Sequence, residues 1–173
     1  MHKPNATEYG THLSEYVQLV QEGKLFNMLK EQIEELQLLL AAADEELGNF
    51  RYAPDKWSLK EVIGHMSDTE RIMSYRALRI ARGDSTPLPG FEEKLFVQGA
   101  NFEQRTIKQL LAEMRTIREA TLYLIDGFTE EAWQRSGNVS NHLITVRALV
   151  YVIAGHWQHH RNVIEERYLL TNK

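Results

Sequence analysis

Apolar residues recur every three to four positions along four stretches of the chain, and that period predicts four amphipathic helices. The first runs from about Leu25 to Leu47, with Leu29, Ile33, Leu36, Leu40, Ala43 and Leu47 on one face and Gly48 as its stop. The second has the clearest start in the sequence. Ser58 and Glu61 are spaced as a capping box, in which the serine hydroxyl and the glutamate carboxylate each accept a backbone N–H at the helix start. Trp57 and Val62 stand at the positions of a hydrophobic staple, and the helix is expected to end near Arg82 and Gly83. The third helix spans about Thr106 to Asp126, opened by a second capping box from Thr106 to Gln109 and closed by Gly127. Its inward stripe is Ile107, Leu110, Met114, Ile117, Thr121 and Leu124. The fourth spans about Thr145 to Tyr168, and its stripe reads Val146, Leu149, Ile153, His156, His160, Val163, Arg167.

The segments between these helices are read from their turn formers. Residues 1–22 are polar, with Tyr9 and Tyr16, and form an N-terminal arm that packs onto the body. Residues 83–100 contain Pro87, Pro89, Gly90 and Gly99, a long connection of the kind that crosses a bundle or borders a site. A short helical turn is expected at Thr129–Trp133, and 136–141 (SGNVSN) is expected to be a loop. With no convincing alternation of a strand, the fold class is all-α. The expected architecture is a four-helix bundle with a long crossover between helices 2 and 3, in one domain covering 1–173.

Composition narrows the chemistry. The formal net charge is −4 and no block of Lys and Arg occurs, so no nucleic-acid partner is expected. No run of apolar residues reaches membrane-spanning length, and the first residues lack a basic segment followed by an apolar one; no membrane partner and a cytoplasmic location are expected. There is no cysteine. That removes disulfides, thiolate ligands and a cysteine nucleophile together, so a metal would sit on nitrogen or oxygen, and any thiol would arrive with a ligand.

The histidines are the polar residues out of place. His156 and His160 lie one helical turn apart on a stripe that is otherwise apolar, while His159 falls one step outside it, toward a neighbouring helix or solvent. Two buried imidazoles repel when charged, and both stay neutral if a metal takes their lone pairs. The plainer reading makes them core side chains hydrogen-bonded to neighbours. His65, seven residues after the Ser58 cap, is the natural third ligand and favours the metal. Three histidines leave a coordination position open, as catalytic rather than structural zinc does. Asp68, one turn beyond His65, is a candidate second-shell acceptor for a ligand histidine, or else a surface partner of Arg71 or Arg76. The HExxH pattern, the paired ExxH motifs of di-iron bundles, the Walker loop, GxSxG and GxGxxG are all missing.

Two stretches, RYAPDKWSLKEVIGHMSDTERIMSYRALRIARGDSTPLPGFEE at 51–93 and TVRALVYVIAGHWQHHRNVIEERYL at 145–169, resemble the DinB-like superfamily in its YfiT-like branch. The resemblance covers nearly the whole chain. It implies the same bundle and crossover, frequent homodimers, and zinc or nickel on three histidines. By motif these are His65 in GHMSDTER and His156 and His160 in GHWQHHRNVIEER. Trp157 stands where the resemblance leads one to expect a smaller or acidic residue, and is expected to reshape the pocket rim.

Relatives of this kind include transferases and isomerases that use thiols such as bacillithiol or mycothiol, and others described only as metal-dependent hydrolases. The leading expectation is therefore a divalent-metal-dependent transferase that adds a low-molecular-weight thiol to small electrophiles. Arg76, Arg79 and Arg161 are candidates to hold the thiol's carboxylates. The alternatives are a metal-dependent small-molecule hydrolase and a non-catalytic metal-binding or dimerisation module.

Overall fold

The computed structural model describes residues 1–170. After two short 3-10 turns the chain forms α1 (Ser14–Gln18), α2 (Leu25–Leu39), α3 (Glu45–Asn49), α4 (Leu59–Ala81), α5 (Glu93–Ala100), α6 (Ile107–Asp126) and α7 (Glu130–Gln134). The hairpin β1 (Ser136–Val139) and β2 (His142–Thr145) follows, then α8 (Val146–Val163), which passes into a π-helical turn at Ile164–Leu169. The bundle is α2, α4, α6 and α8, with α4 packed against both α6 and α8.

The caps form as their spacing predicts. Ser58 Oγ accepts from Glu61 N at 3.2 Å, and the Glu61 carboxylate accepts from Ser58 N at 2.6 Å. Thr106 and Gln109 repeat the arrangement at α6. Thr145 caps α8 by accepting from Ala148 N at 3.1 Å.

Four details differ from the sequence reading. The first helix stops at Leu39 instead of running to Leu47, because Asp44 caps a new helix by accepting from Leu47 N at 2.8 Å. Gly48 accordingly lies inside α3 and ends nothing; a Cβ there would come within 2.9 Å of the Lys60 side chain. The crossover is not all loop, since α5 occupies its second half. The segment expected as a loop at 136–141 opens an antiparallel hairpin, turned by Ser140 and Asn141 at φ 52° and 64°.

The end of α8 also shifts phase. Leu170 N donates to Glu165 O, five residues back, and this wider turn keeps four-residue steps on one face. His160 is therefore followed inward by Ile164 and Tyr168, both buried, where Val163 and Arg167 were expected; Arg167 is exposed. The Tyr168 hydroxyl donates to the Trp57 carbonyl at 2.5 Å, tying the end of α8 to the start of α4.

The apolar core falls into two clusters. One holds Leu29, Ala77, Ile125 and Ile153, the other Ile33, Met66, Met114 and Trp157. Between them lies a layer of buried polar groups, with side chains from α2, α4 and α6 and a backbone carbonyl from α8. Arg118 of α6 donates through Nε and Nη2 to both oxygens of Glu70 on α4, each at 2.8 Å. Its Nη1 donates to the Leu29 carbonyl and to Gln32 Oε1 on α2, both at 2.9 Å. Gln32 in turn donates to the Ala154 carbonyl of α8 at 2.9 Å. A bidentate arginine–carboxylate pair offsets the desolvation of both charges only while both are present. Arg118→Ala is expected to cost about 3–5 kcal/mol by leaving Glu70 buried and unpaired. The double change Glu70→Leu with Arg118→Met should cost clearly less. Urea unfolding measures both, and equal losses would show that the charge pair is not what matters.

Candidate metal centre

Two glycines let the backbone come close where the histidines are presented. A Cβ on Gly64, just before His65, would lie 2.4 Å from the Phe102 ring. One on Gly155, just before His156, would lie 1.9 Å from the Tyr16 carbonyl oxygen. Helix α4 is thereby seated against the segment after α5, and α8 against the N-terminal arm. The arm is further held by Glu8, which accepts from Arg147 at 2.6 Å and from the Thr145 hydroxyl at 2.9 Å.

The three histidines read from the sequence come together at their Nε2 atoms. His65 and His156 approach to 3.0 Å and His156 and His160 to 3.1 Å, and the ligand atoms of all three lie within 4.8 Å of one another. Nitrogens bonded at about 2.0–2.1 Å to one tetrahedral ion stand roughly 3.3 Å apart, so the cluster has the dimensions of a metal site. The donor chemistry agrees. His156 Nε2 has one in-plane lone pair or one proton and meets two neighbours, whereas a divalent cation accepts a lone pair from all three rings.

The surroundings hold the rings neutral. Burial pushes the His65 pKa from 6.5 down to about 4, helped by the nearby His159. His156 and His160 are held well below their ordinary value by burial first and by the neighbouring imidazoles second. Rings also pack on rings. Trp57 lies 4.7 Å from His65 between centroids, and Tyr16 lies 5.3 Å from His156 and 5.6 Å from His159. His159 thus faces the arm, just outside the cluster. Thr69 Oγ1 stands 3.5 Å from His65 Nδ1, while the buried Nδ1 of His160 has no protein partner.

The other sequence candidates are placed differently. Asp68 lies 3.4 Å from Arg71, and the polar group beside His65 Nδ1 is the Thr69 hydroxyl. Arg79 is paired with Asp84 and contacts the Tyr75 hydroxyl. Arg161 reaches Glu165 at 3.1 Å, and Arg76 is buried elsewhere on α4. Trp157 does not shape a rim: it is 2% exposed, packed in the second cluster with the Arg118 guanidinium 6.0 Å above its ring. Sequence reasoning missed Glu70, Arg118 and Tyr168 as neighbours of the site. Charges at Glu70 and Arg118, on the inward faces of their helices, were the available signal.

An all-α bundle with a buried tri-histidine cluster is thus the class of protein at hand. The sequence pattern of the DinB superfamily matches residues 28–164, which include all three histidines, and the chain belongs to that superfamily. Among solved structures it is similar to YfiT from Bacillus subtilis, at 15% sequence identity and a TM-score of 0.78, over 99% of this chain and 94% of that one. YfiT is described as a probable metal-dependent hydrolase with an unusual four-helix bundle topology. No curated protein matches the sequence. Among the described residues no helix is long and apolar enough to cross a membrane.

The neutral rings carry a pH signature. The His65 pKa is lowered on folding, so the unfolded chain binds more protons below about pH 6.5 and stability must fall with acid. In metal-free protein this loss is expected to begin near pH 6.5 and to continue to about pH 4. Urea midpoints across that range check it, with His65→Gln giving a shallower slope. Identical slopes for the two proteins would contradict the assignment.

Proposed function

We propose that the protein is a divalent-metal-dependent enzyme acting on small molecules, with one zinc or nickel ion on His65, His156 and His160, and that it joins a low-molecular-weight thiol to an electrophile. The observation that carries this reading is the convergence of three neutral Nε2 atoms from α4 and α8. A divalent ion held by three histidines lowers the pKa of a thiol or a water at its open position and so supplies a nucleophile near neutral pH.

The chain's own residues supply the rest. Trp57 and Tyr16 flank the imidazoles and keep water from their faces. Thr69 is placed to fix the orientation of His65 through Nδ1. Three carboxylates near His65 on α4 are all engaged by arginines: Glu61 by Arg51, Asp68 by Arg71 and Glu70 by Arg118. Among the α4 carboxylates none is left free as a general base, and the thiol is proposed on that ground; Glu93 of α5, its carboxyl pKa raised by burial and its charge acting on Tyr16, lies outside that set. An ionised thiol attacks without further help, whereas attack by water gains from a positioned general base. In the transfer, the thiolate sulfur bonds to the electrophilic carbon, the leaving group departs with the electrons of the broken bond, and the thiol proton passes to solvent. With no cysteine in the chain, the thiol comes from solution as a second substrate.

Hydrolysis of a small ester or amide at the same centre is the second reading, favoured by the description of YfiT. The homodimer belongs to the proposal as well.

Untagged protein is expected to carry about one zinc or nickel equivalent by elemental analysis, as a single tri-histidine site requires. His156→Ala should retain little of it. Chelation should lower Tm by about 5–10 °C, the shift that follows from ~2.7 kcal/mol of metal linkage in a domain of this size. Metal-loaded protein should conjugate a thiol to members of an electrophile panel, and His156→Ala should be at least ~100-fold slower. Chelator-sensitive acid release from esters without thiol would instead assign hydrolysis. A Tm loss in His156→Ala with no activity toward either panel would reduce the centre to a structural module.

A further inference from the structure

Three cationic side chains are buried among the described residues, Lys60, Arg76 and Arg118, and two of them have a carboxylate. Lys60 reaches Glu45 at 2.7 Å and Arg118 holds Glu70. Arg76 has none. It is 5% exposed, yet its Nη2 donates to the Pro89 carbonyl at 2.7 Å, its Nη1 lies 3.5 Å from the Met73 sulfur, and Nε has no acceptor. The Phe91 ring lies 5.6 Å from the guanidinium carbon. Burial lowers its pKa and no acidic group opposes the shift. A buried cation lacking a counter-charge is costly, and an apolar side chain of similar size would pack this position more cheaply.

Arg76 lines a cavity of about 50 Å³ between α4, α8, the hairpin tip and the N-terminal arm. Its polar lining is Arg76, Ser140, His12 and His142, with no acidic residue. One water needs roughly 10–15 Å³ by the same kind of measure, so the space admits the three heavy atoms of a carboxylate head group. A planar carboxylate matches the fork of an arginine whose remaining N–H groups lack an anion. The segments that close the cavity are pinned there. Leu88 N donates to Asn138 O at 2.9 Å and Ser140 N donates to Leu88 O at 3.0 Å, which holds the hairpin tip against the crossover.

We propose that Arg76 anchors a binding site for a small carboxylate, closed over by the hairpin tip and the arm. The site shares the α4–α8 interface with the histidine cluster, eleven residues beyond His65 on α4, or about 16 Å along the helix. The arm spans both, with His12 and Leu13 at the cavity and Tyr16 on His156. On the proposed function, the carboxylate belongs to the substrate whose reactive end meets the metal. That clause rests on the earlier reading, whereas the binding itself does not.

Titration of the full-length, metal-loaded protein with acetate, succinate and inorganic phosphate, at fixed ionic strength, tests the site. The arginine Nε–H resonances are followed by NMR, and Arg76 is assigned by its loss in Arg76→Lys. The expected result is a saturable shift of the Arg76 Nε–H with acetate and succinate. Arg76→Lys, which keeps the charge and loses the planar fork, should weaken binding at least tenfold by the remaining amide shifts. Arg79→Lys, on the same helix but paired with Asp84, should leave it unchanged. A flat Nε–H titration, equal affinity in Arg76→Lys, or tighter binding of phosphate than of either carboxylate overturns the proposal. Should Arg76→Lys fail to fold, the Arg76 Nε–H is assigned by its contacts to the Phe91 ring, and the wild-type titration then decides alone. Repeating it on His156→Ala separates the two readings, because carboxylate affinity must survive there even if metal content and activity do not.

Discussion

A single buried ion pair sets the relation between the four bundle helices. Arg118 spends its guanidinium on Glu70 of α4 and on Gln32 and the Leu29 carbonyl of α2, and Gln32 passes the connection to Ala154 of α8. Apolar packing tolerates sliding by fractions of a turn, because one leucine substitutes for another. A bidentate guanidinium–carboxylate pair does not, since a displaced partner leaves a charge in low dielectric with nothing to offset it. The layer therefore acts as a register mark between two otherwise interchangeable apolar clusters. His65 lies five residues before Glu70 on α4, and His156 two residues after Ala154 on α8. The pair that aligns the helices thus also brings the imidazoles to within 3.0 Å.

The same low dielectric acts in opposite senses on neighbouring groups. It strengthens the Arg118–Glu70 pair and it discharges the histidines, which have no carboxylate of their own. Glu61, Asp68 and Glu70 are each claimed by an arginine, so none remains to raise the imidazole pKa values. The result is a cluster of lone pairs held ready in a dry environment, the state a metal ligand requires. A carboxylate free to pair with His65 would make it a cation and a poorer ligand.

The sequence exposed the parts of this arrangement that repeat or break a local rule. Two histidines on an apolar stripe of α8 are anomalous by periodicity alone, and the Ser58–Glu61 cap fixes the start of α4 so that His65 has a definite face. The parts that stayed hidden depend on competition between distant groups. The helix over Leu25–Leu39 could continue through Ala41–Ala43 by propensity, and stops because Asp44 makes a better start for the next one. The hairpin strands are four residues each, too short to show alternation, and their turn uses Ser140 and Asn141 without a glycine to announce it. The π-helical turn leaves no mark in composition. It moves Tyr168 inward in place of Arg167, and only with that tyrosine bonded to the Trp57 carbonyl does the position of the Trp57 ring over His65 follow. Glu70 and Arg118 were visible as charges on inward faces, but their partnership spans 48 residues and no local pattern joins them.

The segments outside the bundle are what separate this centre from a merely buried cluster. Gly155 admits the Tyr16 carbonyl so closely that the arm lies directly on α8, and Gly64 does the same for Phe102 against α4. Side chains at either position would lift a covering segment away, expose the imidazoles, and let water restore their ordinary basicity. Both glycines immediately precede a histidine for a geometric reason. On a helix, adjacent residues point about 100° apart, so a residue that faces inward puts its predecessor on the flank where a neighbouring segment must pass. A bare backbone on that flank lets the cover come to van der Waals distance without displacing the histidine face. The Gly-His pairs of α4 and α8 are thus two solutions to one steric problem, and the imidazoles they present are covered by Tyr16 of the arm and Trp57 at the start of α4.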